Sequence, residues 1–143
     1  MARKFPLAAL LRLRHAEQDR AASALAAAND RVRDAADARV AARRSLADAQ
    51  DPQSAGDAAT LSAIAAARAA TRGMLEELDA VARTRRADAE RAQEQYTAAR
   101  RAALGLEKLE EQHVASETAA ELRTEQNALD EVAARRRAEG GAR

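Results

Sequence analysis

From Leu11 to Ala49 the chain repeats every seven residues. Positions 11, 18, 25, 32, 39 and 46 hold Leu, Gln, Leu, Val, Arg and Leu, and positions 14, 21, 28, 35, 42 and 49 hold an arginine followed by five alanines. A seven-residue repeat with two seam positions keeps one stripe of a helix turned toward a partner helix. Large residues at one seam position and alanine at the other let the two backbones approach closely. The rest of the sequence leaves few alternatives. Alanine fills 43 of the 143 positions, and there is one Phe, one Tyr, no Trp and no Cys. Large apolar side chains make up only about one residue in six, too few to fill a globular core. Disorder is also excluded, because Ala, Arg, Glu, Leu and Gln are strong helix formers, while Gly and Pro number five and two. This composition reads as long helix or coiled coil, in a chain long enough for one domain.

The one strong break is Asp51-Pro52-Gln53-Ser54-Ala55-Gly56-Asp57, where proline removes a donor and Gly and Ser favour a bend. It predicts helix 1 over about 6–50, a loop over 51–57 and helix 2 over about 58–137. Pro6 suits a first helical turn, Asp57 or Thr60 suits a cap, and Gly140-Gly141 suits an end. At ~1.5 Å per residue the two helices are roughly 65–70 Å and 120 Å long. In helix 2 the seam runs through Leu61, Ile64, Arg68, Thr71, Leu75, Leu78, Ala82, Arg85, Ala89, Ala92, Tyr96, Ala99, Ala103 and Leu106. Beyond that Leu109, Leu122, Leu129 and Val132 fall on other registers, which predicts a stutter near Gly105. Gly73 and Gly105 each cost ~1 kcal/mol against Ala and permit a local bend.

A short loop makes the two helices antiparallel neighbours. The expected architecture is all-α: two long helices in an antiparallel coiled-coil hairpin, with an overhanging C-terminal helix, forming a single unit over 1–143. Centring the hairpin near Ser54 sets residue i opposite about 108 minus i. Leu46 then faces Leu61, Val32 faces Leu75 and Leu78, Leu25 faces Ala82 and Leu11 faces Tyr96. Residues from about 106 to 137 overhang, and their Leu104, Leu106, Leu109, Val114, Leu122, Leu129 and Val132 suggest a docking surface or self-association. Arg39, Arg68 and Arg85 at seam positions either fix the register through acidic neighbours or mark places where the register differs. Residues 1–50 carry a net charge of +4 and residues 101–143 a net −2. Asp79/Arg83 and Glu131/Arg135 have the favourable i,i+4 order.

Little in the chain points to catalysis. No Gly-rich phosphate loop, GxSxG or HExxH is present. His15 and His113 are read as solvated or interfacial rather than as metal ligands. Pairs such as Glu76-Glu77 and Glu110-Glu111 are read as surface charges, since a catalytic pair needs a desolvating pocket. The chain is read as a non-enzyme with no cofactor and no metal. Arg43-Arg44, Arg85-Arg86, Arg100-Arg101 and Arg135 to Arg137 have acids interleaved almost one for one and lack stacking aromatics, which argues against nucleic acid. Phe5 to Leu13, with Arg3, Lys4, Arg12 and Arg14, has two readings: packing on helix 2, or a contact with an anionic membrane surface. No apolar run is long enough for a transmembrane helix. The start, MARKFPLAALLRLRH, has an apolar stretch interrupted by arginines and no clear cleavage site. The expected location is cytoplasmic.

The two ends of the chain carry a family likeness. Phe5-Pro6-Leu7-Ala8-Ala9-Leu10-Leu11-Arg12-Leu13-Arg14, then Glu17 and Ala21-Ala22, resembles the start of the FliJ family of flagellar proteins. Leu106-Glu107-Lys108-Leu109-Glu110-Glu111 resembles that family's Leu-Glu-Lys-Leu-x-Glu segment. Glu125-Gln126-Asn127-Ala128-Leu129-Asp130-Glu131-Val132-Ala133 with Arg135-Arg136 resembles its closing pattern. The matches cover about 35–40 residues, and the middle agrees only as generic coiled coil. The Ala and Arg content departs from members richer in Glu, Lys and Gln. The resemblance implies a small cytoplasmic coiled coil of the flagellar type III export apparatus, peripheral at the cytoplasmic face of the inner membrane. It implies a stalk that inserts into and stimulates the hexameric export ATPase, contacts the membrane export gate and helps recycle export chaperones. It places the ATPase contact, by resemblance only, on Leu106, Leu109, Gln126, Leu129, Asp130, Glu131 and Arg135, and the gate contact around Leu75 to Arg86. The alternatives are a generic coiled-coil scaffold or self-assembling protein of another complex, and a membrane-surface or nucleoid-associated helix protein.

Overall fold

The computed structural model describes residues 3–48 and 56–141. Two helices make up nearly all of it: α1, Ala8–Asp48, and α2, Ala58–Gly140. Among the described residues there is no strand. Helix 1 begins two residues later than predicted, because Pro6 and Leu7 form a turn in which Ala8 N donates to Phe5 O at 3.2 Å. Helix 2 runs to Gly140, three residues beyond the predicted end, and closes with Gly141 N donating to Arg137 O at 3.0 Å. Of the predicted loop, Asp51 to Ala55 lie outside the described residues, as do Ala49 and Gln50 at the predicted end of helix 1. Gly56 and Asp57 are non-helical, and Asp57 caps α2. Its Oδ1 accepts from Thr60 N at 2.6 Å, satisfying a donor that the first helical turn leaves free. The hydrogen bonds from Thr60 hold the Asp57 carboxyl below its ordinary range.

The chain divides into two compact units, one of Met1–Gln18 with Ala99–Arg143 and one of Asp19–Ala98. In the Asp19–Ala98 unit the predicted α1 seam is the covered one. Ala28, Ala35 and Ala42 are buried, and Ala21, Leu25, Val32, Arg39 and Leu46 are partly covered. On α2, Ala82 and Ala92 are buried, and Thr71, Leu75, Leu78, Arg85, Ala89 and Tyr96 are partly covered. Leu61 and Arg68, both assigned to the seam, are exposed.

The offset between the helices explains the exposure of Leu61. Arg39 Nε lies 2.5 Å from Asp79 Oδ1. The contact is ionic rather than an aligned hydrogen bond, since Nε lacks a hydrogen-bond partner. Arg31, Asp34, Ala35 and Ala38 line one groove with Leu78, Val81 and Arg85. The positions of Arg39 and Asp79 add to 118, not the expected 108. Centring on the break would have set Arg39 beside Arg68, like charge against like in a half-buried seam, which is unfavourable. The observed offset sets it against an acid instead. It also takes Asp79 away from the expected partner Arg83, and leaves Leu61 without Leu46 across from it, 56% exposed.

Helix 2 passes through Gly73 and Gly105 without a break. Neither has a positive φ, and nothing lies within 4 Å of where a Cβ would stand. Alanine fits both sites, so Gly73→Ala and Gly105→Ala should each stabilise the chain by about 0.5–1 kcal/mol. Thermal unfolding followed by circular dichroism reads this, and a lowered midpoint would mean that a glycine conformation is needed there. Asp57 gives a pH prediction. A carboxyl lowered in the folded state stabilises above its unfolded value and loses that contribution as pH falls through the folded value. Protection of the Thr60 amide in hydrogen exchange should therefore drop below pH 3.8, the ordinary carboxyl value. Asp57→Asn, which keeps a cap but cannot ionise, should flatten that drop; an unchanged profile would place its cause elsewhere.

Candidate protein-interaction surface

The unit of Met1–Gln18 and Ala99–Arg143 is held by polar contacts as much as by apolar ones. Leu11 and Ala103 are buried, Ala103 completely. Around them His15 Nε2 lies 2.7 Å from Glu107 Oε1. Arg3 N donates to Glu117 Oε2 at 3.2 Å. His113 Nε2 lies 2.9 Å from Arg3 O and donates to it, while its ring packs on Phe5 with centroids 5.7 Å apart. Rising positions at the start of the chain thus meet falling positions on α2. The paired positions add to between 116 and 122, where centring on the break would have set His15 opposite residue 93. Of the two readings of Phe5 to Leu13, packing on helix 2 is present at Phe5 and Leu11. Leu7, Leu10 and Leu13 remain 38%, 37% and 50% exposed. Both histidines are interfacial.

These contacts correct the expected stutter. Covered positions on α2 run Ala99, Ala103, Leu106, Glu110, His113 and Glu117, the same 3-4 spacing as before Gly105. The packing keeps its phase, and the leucines leave it. Of the covered positions, His113 meets the Arg3 carbonyl and the Phe5 ring, and Glu117 meets the Arg3 amide. Leu104, Leu109, Val114, Leu122, Leu129 and Val132 are all exposed.

Every described residue from 118 to 141 is exposed. Five of the seven residues assigned by resemblance to a partner contact lie in this stretch. Gln126 Nε2 donates to Asp130 Oδ1 at 3.1 Å, and Arg135 donates to Glu131 Oε1 at 2.6 Å, each one turn along the helix. Leu129 is 65% exposed and, with Glu125, Ala128 and Val132, lines a shallow, open groove on the helix surface. Leu106 is different. It is partly covered in the helix seam and stands 23 residues, roughly 35 Å, from Leu129. Leu109 is 46% exposed but still 20 residues, roughly 30 Å, from Leu129 along the helix. Gln126, Leu129, Asp130, Glu131 and Arg135 share one exposed stretch of the helix, with Gln126 and Arg135 on opposite faces of it, and Leu106 and Leu109 lie outside that stretch. The His15, Glu107, His113, Phe5 and Arg3 contacts were not found from the sequence. Their signal, polar residues continuing the heptad at 110, 113 and 117, became legible only once the helix offset was known.

This surface is open to solvent. Among the described residues, no group of three or more His, Asp or Glu is placed to hold a metal, and no helix is long and apolar enough to cross a membrane. What it offers is an apolar stripe with acids beside it and three arginines after it, on a helix whose other side is polar. That arrangement defines a helical protein-interaction module. The family model described as "Flagellar FliJ protein" matches residues 3–141, and the chain belongs to the FliJ family, a non-catalytic flagellar export component. Comparison with curated proteins and with solved structures returns no match.

The His15 and Glu107 side chains are 45% and 40% exposed, so their pair is screened by water. A double-mutant cycle with His15→Ala and Glu107→Ala, read by thermal unfolding, should give a coupling of about 0.2–1 kcal/mol. A coupling of zero would show that the contact does not hold this unit together.

Proposed function

We propose that this protein is a cytoplasmic stalk of the flagellar type III export apparatus. In this reading the whole chain acts as one antiparallel hairpin, with the end of α2 projecting beyond the start of α1. The projecting segment enters the hexameric export ATPase and raises its rate of hydrolysis. The stretch from Leu75 to Arg86 meets the membrane export gate, and export chaperones are recycled through the same molecule. One observation carries the ATPase contact: in a chain of this family, residues 118–141 are exposed all round yet carry Leu122, Leu129 and Val132. Apolar side chains on an uncovered helix stabilise it little, and their value lies in a partner that covers them. Gln126, Leu129, Asp130, Glu131 and Arg135 are the residues we assign to that partner, with Leu109 a contact further along the helix. Leu106 contributes by holding the helix seam. The gate contact rests on a second surface. Met74 and Val81 are 52% and 43% exposed, and Val81 lines a groove with Arg31 and Arg85 at its rim.

The test uses the full chain and its cognate export ATPase. Asp130→Ala combined with Glu131→Ala should weaken the complex severalfold, chiefly through slower association at low salt, with helix content unchanged by circular dichroism. Unchanged affinity would remove these residues from the contact. If the wild-type chain neither binds nor stimulates the ATPase, the stalk reading fails and a scaffold role in another complex takes its place.

A further inference from the structure

We propose that residues 118–140 of α2 pair, antiparallel, with the same segment of a second copy of this chain. The segment's apolar stripe has its own phase. Leu122, Glu125, Leu129, Val132 and Arg136 recur at 3-4 spacing, and at 100° per residue they lie roughly 100° around the helix from the seam that runs through Ala103, Leu106, Glu110, His113 and Glu117. This second seam is not covered by the chain itself: Leu122, Leu129 and Val132 are 61%, 65% and 46% exposed.

Charge favours a second copy over an unrelated helix. Between positions 117 and 131 there are five acids against one arginine, Arg123, and three arginines follow at 135, 136 and 137. A parallel pair would set like charges side by side, whereas an antiparallel pair sets Glu117 and Glu121 of each copy against the arginines at 135 to 137 of the other. In an antiparallel coiled coil the two seam positions face one another across the pair. Setting Leu122 opposite Val132 of the second copy brings Leu129 opposite Glu125, whose aliphatic stem covers it while the carboxylate reaches water. The same register places Glu121 beside Arg135 of the second copy and sets Ala128 against its own symmetry mate, where the small side chain permits close approach. The groove lined by Glu125, Ala128, Leu129 and Val132 is the surface this pairing fills. Within its own chain Arg135 is engaged by Glu131, so it bridges the two. Three large apolar residues per copy are too few for an obligate dimer; the pair exchanges with monomer as concentration changes. This pairing draws on the exposed segment alone, and a chain that bound no ATPase would still dimerise.

The chain has no cysteine, so Ala128→Cys supplies a unique thiol. Under mild oxidation the full-length variant should form a disulfide-linked dimer readily, and Asn127→Cys, on the opposite side of the helix, should not. In sedimentation equilibrium the unmodified chain should rise above 15.3 kDa with concentration. Glu121→Arg and Arg135→Glu should each weaken that association by roughly tenfold, because symmetry breaks two ion pairs at once, and the double exchange should restore it. Circular dichroism of each variant checks that helix content is kept. A mass that stays at the monomer value at every concentration overturns the pairing. Equal cross-linking at 127 and 128, or a double exchange weaker than either single one, overturns it as well. Loss of ATPase binding in chains that still dimerise bears on the stalk reading alone.

Discussion

Two helices can approach one another only as closely as the side chains between them allow, and here those side chains are mostly alanine. Among the described residues, six of the seven buried apolar ones are alanines: Ala28, Ala35 and Ala42 on α1, and Ala82, Ala92 and Ala103 on α2. Each removes little area from water, so burial alone stabilises such a seam weakly per residue. What alanine supplies is low interaxial distance and high helix propensity together. The strength of the arrangement is then spread over the length that the two helices share. Among the described residues, Leu11 is the one large side chain that the seam buries.

A seam with so little shape to it specifies its register poorly. A run of alanines fits against another run at several offsets, as uniform cores generally do. Polar residues make the choice. Arg39 sits where a leucine would be expected and finds Asp79; His15 finds Glu107, and Glu117 receives the amide of Arg3. A charged or polar group at a seam position discriminates against registers that leave it unpaired, a use seen in coiled coils generally. In this chain the apolar residues say that helices pair, and the polar ones say where.

That division accounts for what could be read from residues alone. Every α1 position assigned to the seam from Leu11 to Leu46 is covered, and on α2 the assignment fails only at Leu61 and Arg68. Periodicity is a local property, and the sequence displays it directly. Offset is a property of two segments at once. Centring the pairing on the proline break assumed that connection geometry decides it, whereas a few cross-helix polar contacts do. The same cause hid the polar clasp around Phe5 and His113, because those residues have no reason to meet until the offset is right. The resemblance at the two ends was legible because it rests on residue order, and the family match spans the residues between as well.

The exposed end of α2 raises a different question, namely what keeps it helical. Residues 118–141 are not covered by the rest of the chain, and isolated helices of this length are marginal in water. The pairs Gln126 with Asp130 and Glu131 with Arg135 run in the favourable direction along the helix and each adds a few tenths of a kcal/mol. Thr118 and Thr124 turn their hydroxyls back to the carbonyls of Val114 and Ala120, which satisfies them without offering the segment another fold. Continuity with the packed part of α2 removes the cost of nucleation. The segment is therefore close to the balance point between order and fraying, with leucines that gain most by being covered. A partner that covers them also completes the helix, so binding and ordering reinforce each other. Replacing Leu122, Leu129 and Val132 by glutamate would keep the propensity and remove that coupling, which separates a helix that merely persists from one maintained for contact.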